Sequence, residues 1–168
     1  MESPLWHYKF GEEDIAILRK LNEANVSYLV MGGAAVAHYG GREAHEVDDL
    51  DILVDNAEEN ARKFAQVINA VTNDAGALLA TPVTHSNFSK PKVQFPLKFA
   101  PFYCEFQTPS SHDDFVALMS NAVKTGIRGQ SVHILARSDL IAMKRSCVKA
   151  YGDALAKHAK DLEYLESL

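Results

Sequence analysis

Hydrophobic residues recur along this chain with two alternating periods, one typical of helices and one typical of strands. Residues 12–24 place isoleucine and leucine at helical spacing, with acids in the first turn, which predicts an amphipathic helix. Residues 27–31 (SYLVM) form a short apolar run that ends abruptly at Gly32-Gly33. We predict a strand there, followed by a short helix over residues 34–39.

The rest of the chain continues this alternation. Further strands are predicted at residues 49–54, 77–83, 97–108 (a strand or half of a hairpin) and 131–135, and further helices at residues 57–71, 113–123, 138–150 and 153–168. Residues 84–96 are rich in serine, proline, lysine and asparagine, and we predict a loop with a short edge strand. The pattern indicates an α+β fold with α/β-type layers, in which helices flank a mixed sheet. We predict a single domain over residues 1–168, with a C-terminal helical element at 136–168.

Composition and charge fit an ordinary globular protein. The chain has 168 residues, 47% of them hydrophobic and 23% charged, which is enough to bury a core. The net charge of −5 gives no global positive field for non-specific nucleic-acid binding. Its two cysteines lack metal-ligand spacing, which argues against a zinc knuckle or a disulfide framework. We find no signal-peptide pattern and no apolar run of membrane length, and therefore expect a cytoplasmic location without membrane contact.

Two acids stand at the start of the predicted strand 49–54. Because strand side chains alternate between faces, Asp49 and Asp51 project together. Adjacent carboxylates raise each other's pKa unless a cation lies between them, and oxygen ligands of this kind suit Mg²⁺. An isolated Asp-Leu-Asp sequence is, however, more often a solvated acidic strand end.

Glu105 interrupts an otherwise apolar run, FYCEF, and shares a strand face with Tyr103 and Gln107. An acid within a sheet is costly unless it is paired or bound to a metal. Glu105 is therefore a candidate third ligand. A glutamate that faces water from an edge strand is an equally good interpretation.

Gly32-Gly33 allows the backbone to turn sharply and to approach a ligand closely, because glycine has no Cβ. If a helix begins there, its free N–H groups would form an anion site. Taken alone, such a pair is more often only a turn.

Together the three features are more specific. The segment YLVMGGAAVAHYGGREAHEVDDLDILV resembles the polymerase-β-like nucleotidyltransferase superfamily, whose motif is a strand, two small residues, a spacer and then Asp-hydrophobic-Asp. The closest resemblance is to small single-domain members, such as AbiE-type toxins and antibiotic nucleotidyltransferases. DLIAMK (139–144) and AKDLEYL (159–165) resemble the helical tail of the AbiE-like branch.

The resemblance implies a nucleotidyltransferase fold and an Mg²⁺-dependent enzyme with two metal ions. Such an enzyme moves a nucleoside monophosphate from an NTP, such as ATP, to a hydroxyl on a small molecule, an RNA or a protein, and releases pyrophosphate. Glu105 could also accept the proton of the acceptor. The implied site residues surround the triphosphate: Asp49, Asp51 and Glu105 as catalytic and metal-binding residues, and Gly32, Gly33, Arg42 and Lys144 as nucleotide-binding residues.

A second hypothesis remains open, because Ala34 stands where these enzymes usually have a hydroxyl residue after the glycines. The chain would then be a catalytically weak or inactive member of the fold that acts as a toxin–antitoxin or regulatory partner. The resemblance also implies a homodimer or a cognate toxin or antitoxin protein. Residues 84–96, with Lys90, Lys92 and Lys98 in or beside them, are the predicted acceptor-facing segment.

Overall fold

A computed structural model describes residues 12–77, 79–151 and 156–168 of the chain. The helices are α1 (Glu12–Glu23), α2 (Gly32–His38), α3 (Glu58–Asp74), α4 (His85–Phe88), α5 (His112–Asn121), α6 (Arg137–Tyr151) and α7 (Ala156–Ser167). The strands are β1 (Tyr28–Met31), β2 (Leu50–Val54), β3 (Gln94–Leu97), β4 (Cys104–Gln107), β5 (Val123–Ile127) and β6 (Gln130–Ile134). A short 3-10 helix, Ala44–Glu46, lies between α2 and β2.

The six strands form one mixed sheet in the order β3-β4-β2-β1-β6-β5. The central strand β1 pairs antiparallel with β2 and parallel with β6. On the other side β2 pairs in parallel with β4, and β3 and β5 form the antiparallel edges. This is the predicted α+β architecture with a mixed sheet.

The two faces of the sheet differ in chemistry. Ile52 and Phe106 are register partners on β2 and β4, and both are fully buried. Phe64 of α3 contacts both Phe88 and Phe106 edge to face, with ring centroids 4.7 and 5.0 Å apart. This aromatic cluster supplies the core under α3 and leaves the opposite face of β2 and β4 for polar residues.

Most predicted elements are present, but α2 begins two residues earlier than predicted, at Gly32. The predicted strand at 77–83 was wrong for the residues that the structure describes there; Leu78 lies outside them. Both backbone groups of Val83 are hydrogen-bonded to the side-chain amide of Asn69 on α3. The amide thus makes the backbone hydrogen bonds that a neighbouring strand would otherwise make.

Two other elements were missed because their sequences are short and polar. Residues 84–96, predicted as a loop, contain the one-turn helix α4 as well as the predicted edge strand, β3. Strand β5 was not predicted. It joins β6 through a tight turn in which Arg128 and Gly129 have φ of 46° and 81°, the left-handed geometry that favours hairpin turns.

The C-terminal helix α7 packs against the residues that follow α2. The Tyr164 hydroxyl of α7 donates to the Tyr39 carbonyl at 3.3 Å. A Cβ added to Gly41 would lie 2.7 Å from the Tyr164 ring, so this glycine leaves room for the aromatic side chain. Among the described residues, no helix is long and apolar enough to span a bilayer.

Candidate active site

Strand register brings the three predicted acids together. Asp51 on β2 lies directly opposite Glu105 on the parallel strand β4, and equal parity puts both side chains on the same face. Asp49 precedes β2 by one residue. One carboxylate oxygen from each acid lies within 4.8 Å of the other two. The donor set consists of oxygens alone, as Mg²⁺ prefers, so the three acids fit a divalent cation.

A lysine already lies between two of these acids. Nζ of Lys98, which follows the edge strand β3, is 2.5 Å from Asp49 Oδ2 and 2.6 Å from Glu105 Oε2. The two carboxylates hold the ammonium by charge-assisted hydrogen bonds. They raise the pKa of Lys98 despite the opposing effect of its partial burial. The position between Asp49 and Glu105 therefore attracts a cation.

Asp51 is partly buried, like the other two acids. Burial raises its pKa to about 7, with further increases from Asp49 and Glu105, while Lys98 and a backbone hydrogen bond from Gly33 oppose them. Crowded carboxylates of this kind are electrostatically unfavourable unless positive charge is added. The cluster therefore has the electrostatic character of a cation site.

Gly32 explains how the backbone passes so close to Asp51. Its φ is +63°, and a Cβ at this position would collide with the Asp51 carboxylate. Only glycine satisfies both conditions without strain, because L side chains are disfavoured in left-handed backbone. Gly32 is therefore required by the packing of the acid site as well as by the turn.

The two predicted phosphate-binding cations lie near the acids but share a carboxylate partner. Asp161 of α7 accepts two hydrogen bonds from Arg42, with Nε–Oδ1 2.8 Å and Nη2–Oδ2 2.5 Å. Its Oδ2 also lies 2.8 Å from Lys144 Nζ. Burial raises the pKa of Asp161, but the hydrogen bonds from both cations outweigh this and lower it. The group Arg42–Asp161–Lys144 thus carries one net positive charge.

His158 completes this side of the site. Lys144 Nζ donates to His158 Nδ1 at 3.2 Å, so this nitrogen acts as an acceptor. Burial lowers the pKa of His158, and Lys144 and Lys157 lower it further. The imidazole is therefore held neutral beside the cations.

Acids and cations line a single cleft of about 330 Å³. Residues on its walls include the three acids, Lys98, both predicted glycines, Arg42, Lys144, Lys157 and His158. The structure thus brings all seven predicted site residues to one cleft. A polyanionic ligand that carries metal ions would meet the three carboxylates and the positive charge of Arg42, Lys144 and Lys157.

A second cleft, of about 450 Å³, adjoins the first and shares Met31, Gln107 and Met143 with it. Leu53, Leu118 and Leu135 give it an apolar lining, and Lys92 from the predicted acceptor-facing segment reaches its wall. Gln94 of the same segment lines the acid cleft. The segment therefore borders both clefts.

Lys98 and Asp161 were outside the set of predicted site residues, as were Lys157 and His158. Lys98 was grouped with the acceptor-facing segment, whereas it contacts the acids; nothing in the local sequence indicates a partner. Asp161 was not singled out, although it lies on the buried face of α7 four residues before Leu165. An acid on the apolar face of a helix is the signal that could have predicted a buried ion pair.

Comparison with known proteins gives similarity of fold at low sequence identity. No family model and no curated protein matches the sequence. An antigenic nucleotidyltransferase-like protein from Paracoccidioides brasiliensis aligns at 15% identity and a TM-score of 0.53, covering 90% of this chain and 72% of that one. A proposed nucleotidyltransferase from Thermotoga maritima aligns at 16% identity and a TM-score of 0.54, covering 96% of this chain and 98% of that one. The chain has the nucleotidyltransferase fold.

Proposed function

We propose that this protein is an Mg²⁺-dependent nucleotidyltransferase that moves a nucleoside monophosphate from an NTP to a hydroxyl acceptor. The observation that carries this proposal is the convergence of Asp49, Asp51 and Glu105 in a cleft that Arg42, Lys144 and Lys157 also line. A binding module has no need to bear the electrostatic cost of three adjacent carboxylates. The fold, shared with nucleotidyltransferase-like proteins, supports the same reaction.

Asp49, Asp51 and Glu105 would hold the metal ions, which, when bound, stabilise negative charge on the attacking and leaving oxygens. The acceptor oxygen forms a bond to the α-phosphorus, and the bond from this phosphorus to the bridging β-phosphate oxygen breaks. Pyrophosphate leaves with that oxygen. In this proposal Glu105 accepts the hydroxyl proton, because its carboxylate faces the cleft from the strand beside Asp51.

The cations of the cleft would bind the triphosphate. Arg42 and Lys144 line the cleft, and Asp161 compensates only one of their two charges. Lys157 adds charge to this cleft. Gly32 and Gly33 line the same cleft, and because neither carries a side chain, Asp51 and Arg42 pack directly against the backbone there. We therefore propose that phosphates lie between the glycines and α6.

The acceptor would enter through the adjoining cleft. It adjoins the acid site at Met31, Gln107 and Met143, and its exposed lining surface is more apolar than polar. This favours an acceptor with an apolar body and an exposed hydroxyl. Leu118→Trp should narrow the cleft and lower transfer, with NTP affinity unchanged.

Asp51→Asn tests the proposed function. We expect the wild-type protein to bind NTP more tightly with Mg²⁺ than without, and the variant to lose the magnesium-dependent part, because one ligand charge is removed. Titration calorimetry with and without Mg²⁺ measures both. Asp48→Asn is the matched control, since Asp48 is the exposed neighbour of Asp49 and should bind like the wild type.

Two outcomes would contradict the proposal. Identical NTP affinity with and without Mg²⁺ would show that the acids do not hold a metal ion that binds together with the nucleotide. Absence of NTP binding in the wild type would favour the alternative, in which the chain is an inactive member of the fold that acts as a toxin–antitoxin or regulatory partner.

A further inference from the structure

Lys98 occupies the place where a metal ion would be expected. Its ammonium contacts Asp49 Oδ2 and Glu105 Oε2 at 2.5 and 2.6 Å, and these acids belong to the proposed metal-binding set. Mg²⁺ approaches its oxygen ligands to about 2.1 Å. An ion held by the same two carboxylates would therefore lie in contact with the ammonium, and two positive charges at that distance repel strongly. Lys98 and the ion cannot share this position.

Lys98 is also able to leave. Its side chain is 40% exposed, its stem is a flexible four-carbon chain, and it follows β3, which among the described strands pairs only with β4. Lys144 provides the contrast within the same cleft. It is 3% exposed and pinned between Asp161 and His158, so it has no comparable freedom.

We propose that Lys98 is an intramolecular competitor of the divalent cation. In the metal-free protein it neutralises Asp49 and Glu105, and it swings toward solvent when the ion binds. This inference rests on the proposed function, because it takes the three acids to be metal ligands. Its consequence is that the free protein binds divalent ions weakly, since each binding event must first break two charge-assisted hydrogen bonds.

Direct metal binding tests the proposal without any catalytic readout. Mn²⁺ is the probe, because free and bound Mn²⁺ are distinguished by electron paramagnetic resonance. We expect Lys98→Met, which removes the charge and keeps most of the side-chain volume, to bind Mn²⁺ about ten-fold more tightly than the wild type, equivalent to about 1.4 kcal/mol. Lys124→Met is the matched control; Lys124 is an exposed lysine of β5 that lines neither cleft, and its replacement should leave the affinity unchanged.

Thermal stability provides a second readout. Without metal, Lys98→Met should melt below the wild type because its acids repel each other uncompensated. With Mn²⁺ the difference should shrink, giving the variant the larger metal-induced rise in Tm. Lys98→Ala supplies a second neutral replacement, so that a folding defect of one variant does not decide the test.

The outcomes separate this inference from the proposed function. Measurable but equal Mn²⁺ affinity in wild type and Lys98→Met, or weaker binding in the variant, would overturn the role of Lys98 and leave the metal site intact. Failure of both proteins to bind Mn²⁺ would overturn both proposals. The double variant Lys98→Met/Asp51→Asn identifies the site of binding. If it loses the tight Mn²⁺ binding of Lys98→Met, the ion is bound by the acid cluster.

Discussion

Asp161 is one residue on which the cationic side of the cleft depends. Its carboxylate contacts Arg42 and Lys144, and Asp161 and Lys144 are each 3% exposed at the side chain. A buried ion pair contributes little net stability compared with apolar packing, but removal of one partner leaves an uncompensated buried charge. Here it would leave two cations side by side.

We expect Asp161→Asn to lower the free energy of unfolding by about 3 kcal/mol for this reason. Urea denaturation measures the change. Glu166→Gln is the control on the same helix, because Glu166 pairs with Arg145 at the surface, where both side chains are exposed. Its effect should stay below about 0.5 kcal/mol. Equal effects of the two substitutions would contradict the buried network.

A second prediction at the scale of single residues concerns Gly32. Gly32→Ala should abolish Mn²⁺ binding and destabilise the fold, because the new methyl group collides with Asp51 and φ is +63°. Gly76→Ala is a matched control, since φ there is +67° and a Cβ would have nothing within 4 Å. It should lose about 1 kcal/mol of stability from backbone strain alone. Mn²⁺ binding by Gly32→Ala at wild-type affinity would show that Asp51 is not a ligand.

At the scale of elements, a histidine–carboxylate pair joins β2 to α5. Asp55 follows β2 and is 4% exposed, and His112, the first residue of α5, places Nδ1 2.8 Å from Asp55 Oδ1. The hydrogen bond to Asp55 and its charge raise the pKa of His112. The protonated imidazole therefore stabilises the junction.

The sign of the pH dependence follows from this raised pKa. The contribution is complete below the ordinary histidine value of 6.5 and is lost as pH rises through the folded-state pKa. His112→Ala should thus reduce the unfolding free energy most near about pH 5.5 and least near about pH 8.5. Denaturation at several pH values tests this. In an Asp55→Asn background the loss of unfolding free energy caused by His112→Ala should no longer depend on pH. If the pH dependence persists in that background, it arises from another titratable group.

At the scale of the whole molecule, packing gives the two cysteines different solvent accessibility. Cys104 of β4 is fully buried, and burial and nearby Asp14 raise its thiol pKa well above the usual value. Cys147 of α6 is partly exposed and lines the acid cleft. The folded chain therefore presents one accessible thiol, at the proposed nucleotide site.

We expect a thiol reagent to modify Cys147 in the folded protein and Cys104 only after denaturation, because modification needs exposed thiolate. Saturating Mg²⁺ and NTP should slow the reaction of Cys147 several-fold by filling the cleft. Mass spectrometry of the modified peptides measures both rates, and Cys147→Ser identifies the fast site. An unchanged rate with bound NTP would place the nucleotide elsewhere.

Local periodicity determined much of this structure from the sequence. The amphipathic patterns predicted α1 and α3, and alternation along a strand put Asp49 and Asp51 on one face, because side-chain direction repeats every second residue. Parity also placed Glu105 and Gln107 together on their strand. Short polar segments could not be predicted in this way. β5 and α4 carry few apolar residues, so no hydrophobic periodicity distinguished them from a loop.

Only the tertiary structure decided which polar groups meet. One neighbour of β2 in the sheet is β4, and their parallel register sets Asp51 opposite Glu105; strand order has no local signal in the chain. Lys98 reaches the acids because β3 pairs with β4, and Asp161 reaches Arg42, 119 residues away, only because α7 packs back against the residues after α2. The sequence alone thus determined the acids, whereas long-range pairing and helix packing decided their cationic partners.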